Sequence, residues 1–354
     1  MKKGRYVVRI LVIVSILLYA FTGINGGVLV DAIPMEEVDI LLLMDHDWGA
    51  NYPFIREIFE EYRWNITITG LYESLVPCDY NPMDTNVTVD LHVSEISDIT
   101  VYDCLCIMPG SSHRNLLNSS EALDLVRTAV TEGLIVAAWC RAVRVLARAD
   151  VINGKNVTGH ADYKSEYEAA GATFFEGVPP IIDGNIVTGV RSRYYRQEMC
   201  EAIATALGCY ESNSPSVSNV NIDPLRGVSN TEFKVTAEIT DASPLISANA
   251  HIFPLSESNE RTTDIPLASI ELKDSDKDAI YNGSKILNLQ VKKYTVDIVV
   301  IDVFYNNVTS SDVATIEIIE TPTSTPGWTA PIFISATILL ILRELKKKQK
   351  SRKE

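Results

Sequence analysis

The sequence predicts an α/β domain built on a parallel sheet with helices on both faces, then an all-β sandwich, then a C-terminal transmembrane helix. Three observations carry this. Between residues 37 and 210 short apolar runs alternate with helical periodicity, the pattern of a parallel sheet covered on both sides. From 216 to 320 the hydrophobic period falls to two, and after 321 an apolar run meets a block of basic residues. The 354 residues include 46% hydrophobic and 22% charged side chains, enough to bury globular cores and unlike a disordered chain.

The elements follow in order. Lys2, Lys3, Arg5 and Arg9 precede an apolar stretch from 10 to 21 and small residues around Gly23, Gly26 and Gly27, so residues 1–32 read as a signal peptide or an N-terminal anchor. In the first domain, 38–43, 66–71, 104–108 and 134–138 read as buried strands, and 53–62, 120–132, 141–149 and 195–207 as helices. Ligands of such sheets meet the carboxyl ends of the strands, which directs attention to the residues after Leu43, Met108 and Trp139. The Ser- and Asn-rich residues 211–215 read as a linker with few contacts across it. Beyond it, Phe233, Val235, Ala237 and Ile239 alternate with polar residues, and Tyr294, Val296, Ile298 and Val300 repeat the pattern. With runs at 217–222, 246–253, 269–272, 286–291 and 313–319 there are about seven strands, which suits an immunoglobulin-like or fibronectin-like sandwich with Tyr294 as its tyrosine corner. Residues 321–327, Thr-Pro-Thr-Ser-Thr-Pro-Gly, read as a stalk. Residues 328–342 read as a membrane span and 343–354 as a basic cytoplasmic tail. The other reading of 328–342 is a short terminal helix packed on the protein, because fifteen residues reach only about 22 Å. A crossing then needs local bilayer thinning or snorkelling by Arg343 and Lys346.

Charge supports export and excludes one class of partner. The net charge of -15 conceals basic ends; without residues 1–10 and 343–354 the chain keeps 20 basic and 44 acidic side chains. Such an interior does not bind nucleic acid, which needs basic side chains to displace counterions. The expected partners are the membrane, through 328–342, and an unknown small-molecule or peptide substrate, with both folded domains extracellular. Six sequons, at Asn65, Asn86, Asn118, Asn156, Asn282 and Asn307, suit an exported glycoprotein. Outside the cell the six cysteines have fifteen ways to make three disulfides, although Cys104 and Cys106, on one side of a buried strand, serve equally as small apolar residues.

The sharpest chemical feature is Leu134-Ile-Val-Ala-Ala-Trp-Cys140-Arg-Ala-Val, a buried strand that turns directly into a helix at a cysteine. A nucleophile on such a turn needs small residues two positions either side, and Ala138 and Ala142 meet this need. A helix amino terminus and Arg141 both favour a thiolate, so a lowered pKa is expected at Cys140. By spacing alone, a buried structural cysteine at a strand end fits the same residues. No cofactor or metal motif is found. Asp45, His46 and Asp47 are adjacent and lack further ligands. Asp274-Ser-Asp-Lys-Asp278 starts like a calcium loop but lacks the Gly and bidentate Glu, so a solvated turn is expected.

The run Tyr102-Asp-Cys-Leu-Cys-Ile-Met-Pro-Gly110, the Ala-Ala-Trp-Cys140 elbow, Ala149-Asp-Val-Ile-Asn-Gly-Lys-Asn-Val-Thr158, Ala169-Ala-Gly-Ala172 and Ile182-Asp-Gly-Asn-Ile-Val-Thr188 together resemble the DJ-one/PfpI superfamily over about residues 37–209. The resemblance implies a flavodoxin-like, class I glutamine amidotransferase-like fold and, within the family, deglycases and PfpI-type proteases. It implies Cys140 as nucleophile, with oxyanion-stabilising amides near Gly110, Ser111 and Arg141, and it leaves room for a dimer. PfpI-type members place a His immediately after the Cys, where this chain has Arg141. The deglycase branch brings its His from further along, and His160 stands at that place, with His113 in reserve. The family's Glu after the first strand is replaced in Met44-Asp-His-Asp-Trp48 by Asp47, or by Asp45, each with a shorter reach. Two functions follow as expectations. One is a cysteine hydrolase of peptidase, amidase or deglycase type; the other is a non-catalytic surface protein that keeps the fold.

Overall fold

A computed structural model describes residues 35–78, 85–111, 113–191 and 193–321. The expected signal segment (1–32) and membrane span (328–342) lie outside the described residues. No helix among the described residues is long and apolar enough to cross a membrane.

The first domain is built on seven strands: β1 (Asp39–Met44), β2 (Asn65–Gly70), β3 (Leu91–His92), β4 (Cys104–Ile107), β5 (Ile135–Trp139), β6 (Ile181–Asp183) and β7 (Ile186–Gly189). They lie in the order β6-β7-β5-β4-β1-β2-β3. Every pairing is parallel except the β6–β7 hairpin. Strand β1 shows why. Ile40, Leu42 and Met44 join one core with Cys104, Cys106 and Ala137, while Leu41 and Leu43 join another with Leu105 and Ile107. A strand apolar on both faces must be covered on both, which antiparallel hairpins at a surface do not provide. Helices α1 (Tyr52–Glu61) and α6 (Arg196–Leu207) cover the first core; α3 (Ser120–Thr131), α4 (Val143–Arg148) and α5 (Lys164–Ala169) cover the second. A five-residue α2 (Arg114–Asn118) precedes α3. A small set, Asp47–Trp48, Ser74–Pro77 and Val87–Thr88, flanks the sheet.

The helix expected over 141–149 is shorter than its sequence pattern suggests. Cys140–Ala142 forms a 3-10 turn, and the α-helix begins only at Val143 and ends at Arg148. Six residues sum little macrodipole, so that support for a thiolate is weak.

The second region forms two sheets around one hydrophobic core. Strands β8 (Ser216–Asp223), β10 (Thr231–Thr240) and β13 (Ile280–Leu287) make the first; β9 (Arg226–Gly227), β15 (Asn307–Ile318), β14 (Lys292–Asp302), β11 (Leu245–Pro254) and β12 (Ala268–Glu271) make the second. The strand expected at 286–291 is β13, earlier in the chain. Its side chains are mostly exposed, and a side chain at Gly283 would meet the Glu271 carbonyl at 2.2 Å, so it carries little alternation for a pattern to reveal. Asp274 accepts the amides of Lys277 (2.7 Å) and Ala279 (3.0 Å), making a turn of the segment that resembles a calcium loop.

The junction is more tightly packed than its linker composition suggests. Phe304, between β14 and β15, is 7% exposed and packs its ring 5.2 Å from Tyr62 and 4.8 Å from Tyr210. Val303 and Phe304 thereby join the first domain's core. Asn306 Nδ2 donates to the Glu211 carbonyl at 3.3 Å, and the Ser243 hydroxyl donates to the Glu211 carboxylate at 2.8 Å.

Candidate active site

Sheet register assembles the site. Gly189 pairs with Trp139 and Ile107 with Ala138, so the residues that follow β4, β5 and β7 emerge side by side at the carboxyl end. They line a cavity of about 230 Å³ that holds Gly110, Cys140, Arg141, His160, Arg191 and Arg193.

Cys140 stands where the chain leaves β5, at φ 54°, a left-handed conformation that a non-glycine residue adopts at a cost and that marks strained, functional turns. It is half-buried and its thiol is free. The expected lowering of its pKa is not found: burial pushes the thiol up, against the Arg141 amide and the Arg141, Arg191 and Arg193 guanidinium groups, which pull it down. The other five cysteines are also free and are buried, so none of the disulfides considered for an exported chain is formed. Cys104 and Cys106 lie with sulfurs 3.4 Å apart inside the core, as small apolar residues would.

His160 is 4% exposed, and its amide donates to the Cys140 carbonyl at 3.2 Å. Arg191 Nη2 lies 3.1 Å from His160 Nε2. A guanidinium only donates, so Nε2 accepts; Nδ1 faces Asp162, accepting its amide at 3.3 Å and lying 3.5 Å from its carboxylate. Burial lowers the His160 pKa; Asp162 opposes this and Arg191 and Arg141 reinforce it. The ring is therefore neutral, with Nε2 directed to Arg191.

The remaining candidates divide. Gly110 and Arg141 line the cavity, and a side chain at Gly110 would meet the Asp47 carbonyl at 2.9 Å. The Ser111 amide is not available to an oxyanion, because it donates to the Asp47 carbonyl at 3.2 Å. Asp47 does not line the cavity; its carboxylate accepts from the Ser111 hydroxyl at 3.2 Å. Asp45 is buried and accepts the Asn115 amide (3.2 Å) and side chain (2.8 Å), fixing the start of α2. Both aspartates thus brace loops rather than replace a Glu beside the thiol. His113 is buried at φ 56°, and its Nε2–H donates to the Met108 carbonyl at 2.9 Å. Burial lowers its pKa, and it too braces the loop after β4.

Sequence reading missed Arg191 and Arg193. The available signal was a short apolar run after the Gly184 turn, followed by two arginines at what is the carboxyl end of β7. Four strand residues beside a hairpin carry too little periodicity to have been read as a strand.

A parallel α/β sheet with a strained cysteine on the turn after a central strand defines a class of domain, and comparison places this one within it. The DJ-1/PfpI family model matches residues 40–205. The chain is 29% identical over 126 residues to protein DJ-1 homolog D of Arabidopsis thaliana, covering 35% of this chain and 32% of that protein. It is 28% identical over 127 residues to protein DJ-1alpha of Drosophila melanogaster, covering 35% of this chain and 56% of the relative; the chain thus spans only about a third to a half of these relatives. Two crystal structures are similar: the ThiJ/PfpI domain protein from Brachyspira murdochii (TM-score 0.44, 19% identity, 49% of this chain and 98% of that one) and Drosophila melanogaster DJ-1beta (TM-score 0.42, 21% identity, 49% and 91%). Residues 40–205 are a DJ-1/PfpI domain, followed by a β-rich region.

Proposed function

We propose that Cys140 is a nucleophile that attacks carbonyl or amide carbons, in a hydrolase or deglycase type of reaction. The observation that carries this is the strained backbone of Cys140 on a strand-to-helix turn, opening into a cavity shared with His160. In this reading His160, neutral and oriented by Asp162, takes the thiol proton, and amides near Gly110 and Arg141 receive the developing oxyanion. The test is alkylation by iodoacetamide read by mass spectrometry, together with assay of amide, peptide and glycated substrates. Cys140→Ser abolishes activity if the reading holds. A Cys140 that resists alkylation at every pH where the fold survives refutes it.

A second reading, a binding protein without catalysis, is favoured by two observations: burial holds the thiol neutral, and Arg191 occupies the lone pair of His160.

The wider reading is a membrane-held, single-pass extracellular glycoprotein with an immunoglobulin-like second domain. Basic flanks around apolar ends support the anchoring, and all six sequon asparagines are exposed. The Tyr294 hydroxyl donates to the Gln290 carbonyl at 2.9 Å, as a tyrosine corner does, and this supports the immunoglobulin-like assignment.

A further inference from the structure

The cavity at Cys140 carries an unbalanced charge. Arg141, Arg191 and Arg193 all line it, and no carboxylate does. None of the three makes an ion pair among the described residues; their hydrogen bonds go to the Ser111 carbonyl (2.6 Å), to His160 Nε2 (3.1 Å) and to the Tyr194 hydroxyl (3.0 Å). The Nε–H of Arg141 is buried with no hydrogen-bond partner among the described residues, and a buried donor without a partner is costly. Arg144, by contrast, is neutralised by Glu166 and Arg261 by Asp297. Three guanidinium groups at one small cavity, in a chain of net charge -15, form a local reversal of sign that favours an anion and its forked hydrogen bonds.

We propose that the Cys140 cavity takes a small carbonyl compound bearing a carboxylate, of the 2-oxo acid class, with the carboxylate on Arg191 and Arg193 and the carbonyl carbon facing Cys140. The proposal rests on the nucleophile reading and names its substrate class. It also gives His160 a way into the reaction. A carboxylate that engages Arg191 draws the guanidinium from Nε2 and frees that lone pair. The Cys140 thiol proton then passes to Nε2, the sulfur forms a C–S bond to the carbonyl carbon, and the carbonyl π pair moves to oxygen. That oxygen takes the proton back from His160, leaving a neutral hemithioketal hydroxyl and a neutral imidazole. Nothing is oxidised or reduced.

Two measurements on the full chain test this. In the first, Cys140 is alkylated with iodoacetate and with iodoacetamide, and the ratio of rates is compared with that of N-acetylcysteine. The anionic reagent is favoured over its ratio for the free thiol, and Arg191→Gln/Arg193→Gln lowers that preference by about tenfold, the scale of one lost charge-assisted hydrogen bond. A ratio equal to that of N-acetylcysteine and unmoved by the double variant overturns the proposal. In the second, calorimetry follows pyruvate, with neutral pyruvamide as control, binding to Cys140→Ser, which cannot form the same adduct. Pyruvate binds, pyruvamide does not, and the arginine variant loses the binding. Equal binding of the two compounds, no binding at all, or binding indifferent to the arginines overturns the proposal. Failure of iodoacetamide to label Cys140 strikes the nucleophile reading instead, and calorimetry still decides the anion. Arg191 and Arg193 are exposed, so the double variant retains the fold, checked by its melting curve.

Discussion

At Cys140 two opposing effects meet in one residue. The turn holds the sulfur at the mouth of a cavity with cationic neighbours, yet burial outweighs them and keeps the thiol protonated. Alkylation by iodoacetamide is therefore slow at neutral pH and rises only above the ordinary thiol value of about 8.5. Peptide mapping of the folded protein finds Cys140 modified alone, because the other five thiols are buried; a midpoint below that value contradicts the balance described. Gly110 makes a second residue-scale test. Alanine there would press on the Asp47 carbonyl, and Gly110→Ala costs about 1–3 kcal/mol by overpacking, read by urea denaturation, with altered Cys140 labelling.

At the scale of elements, the central strands were legible and their edges less so. Strand β1, expected at 38–43, runs Asp39–Met44, because an unbroken Leu-rich run bounded by polar residues has one stable use in a parallel sheet. The nucleophile turn was legible from Ala138 and Ala142. Its electrostatics were not, since they depend on burial and on arginines some fifty residues away in sequence. The junction was legible only as a composition change. Phe304→Ala removes a ring that both domains share and should destabilise the chain by about 3 kcal/mol, with the loss seen in the unfolding of both domains; a change confined to the second would show that the ring is not shared energetically. Asp241 adds a pH signature there. Burial first, then Glu211 and Asp302, push its carboxyl up to about 6. The folded state thus holds the proton more tightly than the unfolded chain, whose value is near 3.9. The stabilisation is fully present below that lower value and is lost as pH rises through about 6. Asp241→Asn should flatten this component of a melting-temperature profile between pH 4 and 7; an unchanged profile would assign the carboxyl an ordinary value.

For the whole molecule, the basic ends and the six sequons belong to one reading. The reading of an exported glycoprotein predicts that peptide-N-glycosidase lowers the apparent mass of the cell-derived chain. It also predicts that protease added to intact cells removes both domains and leaves the basic tail protected. Unchanged mass and recovery of the intact chain from the soluble cytoplasm would refute export.

Phe304 has a bearing on encounter as well as on stability. A ring seated between Tyr62 and Tyr210 acts as a rivet, so the first domain does not swivel freely on the second. The mouth at Cys140 then keeps a constant aspect relative to the point where β15 ends. A freely diffusing small anion reaches such a mouth from almost any direction by surface exploration. A bulky polypeptide must match its own orientation to that fixed aspect, and its encounter with the mouth is the more demanding of the two.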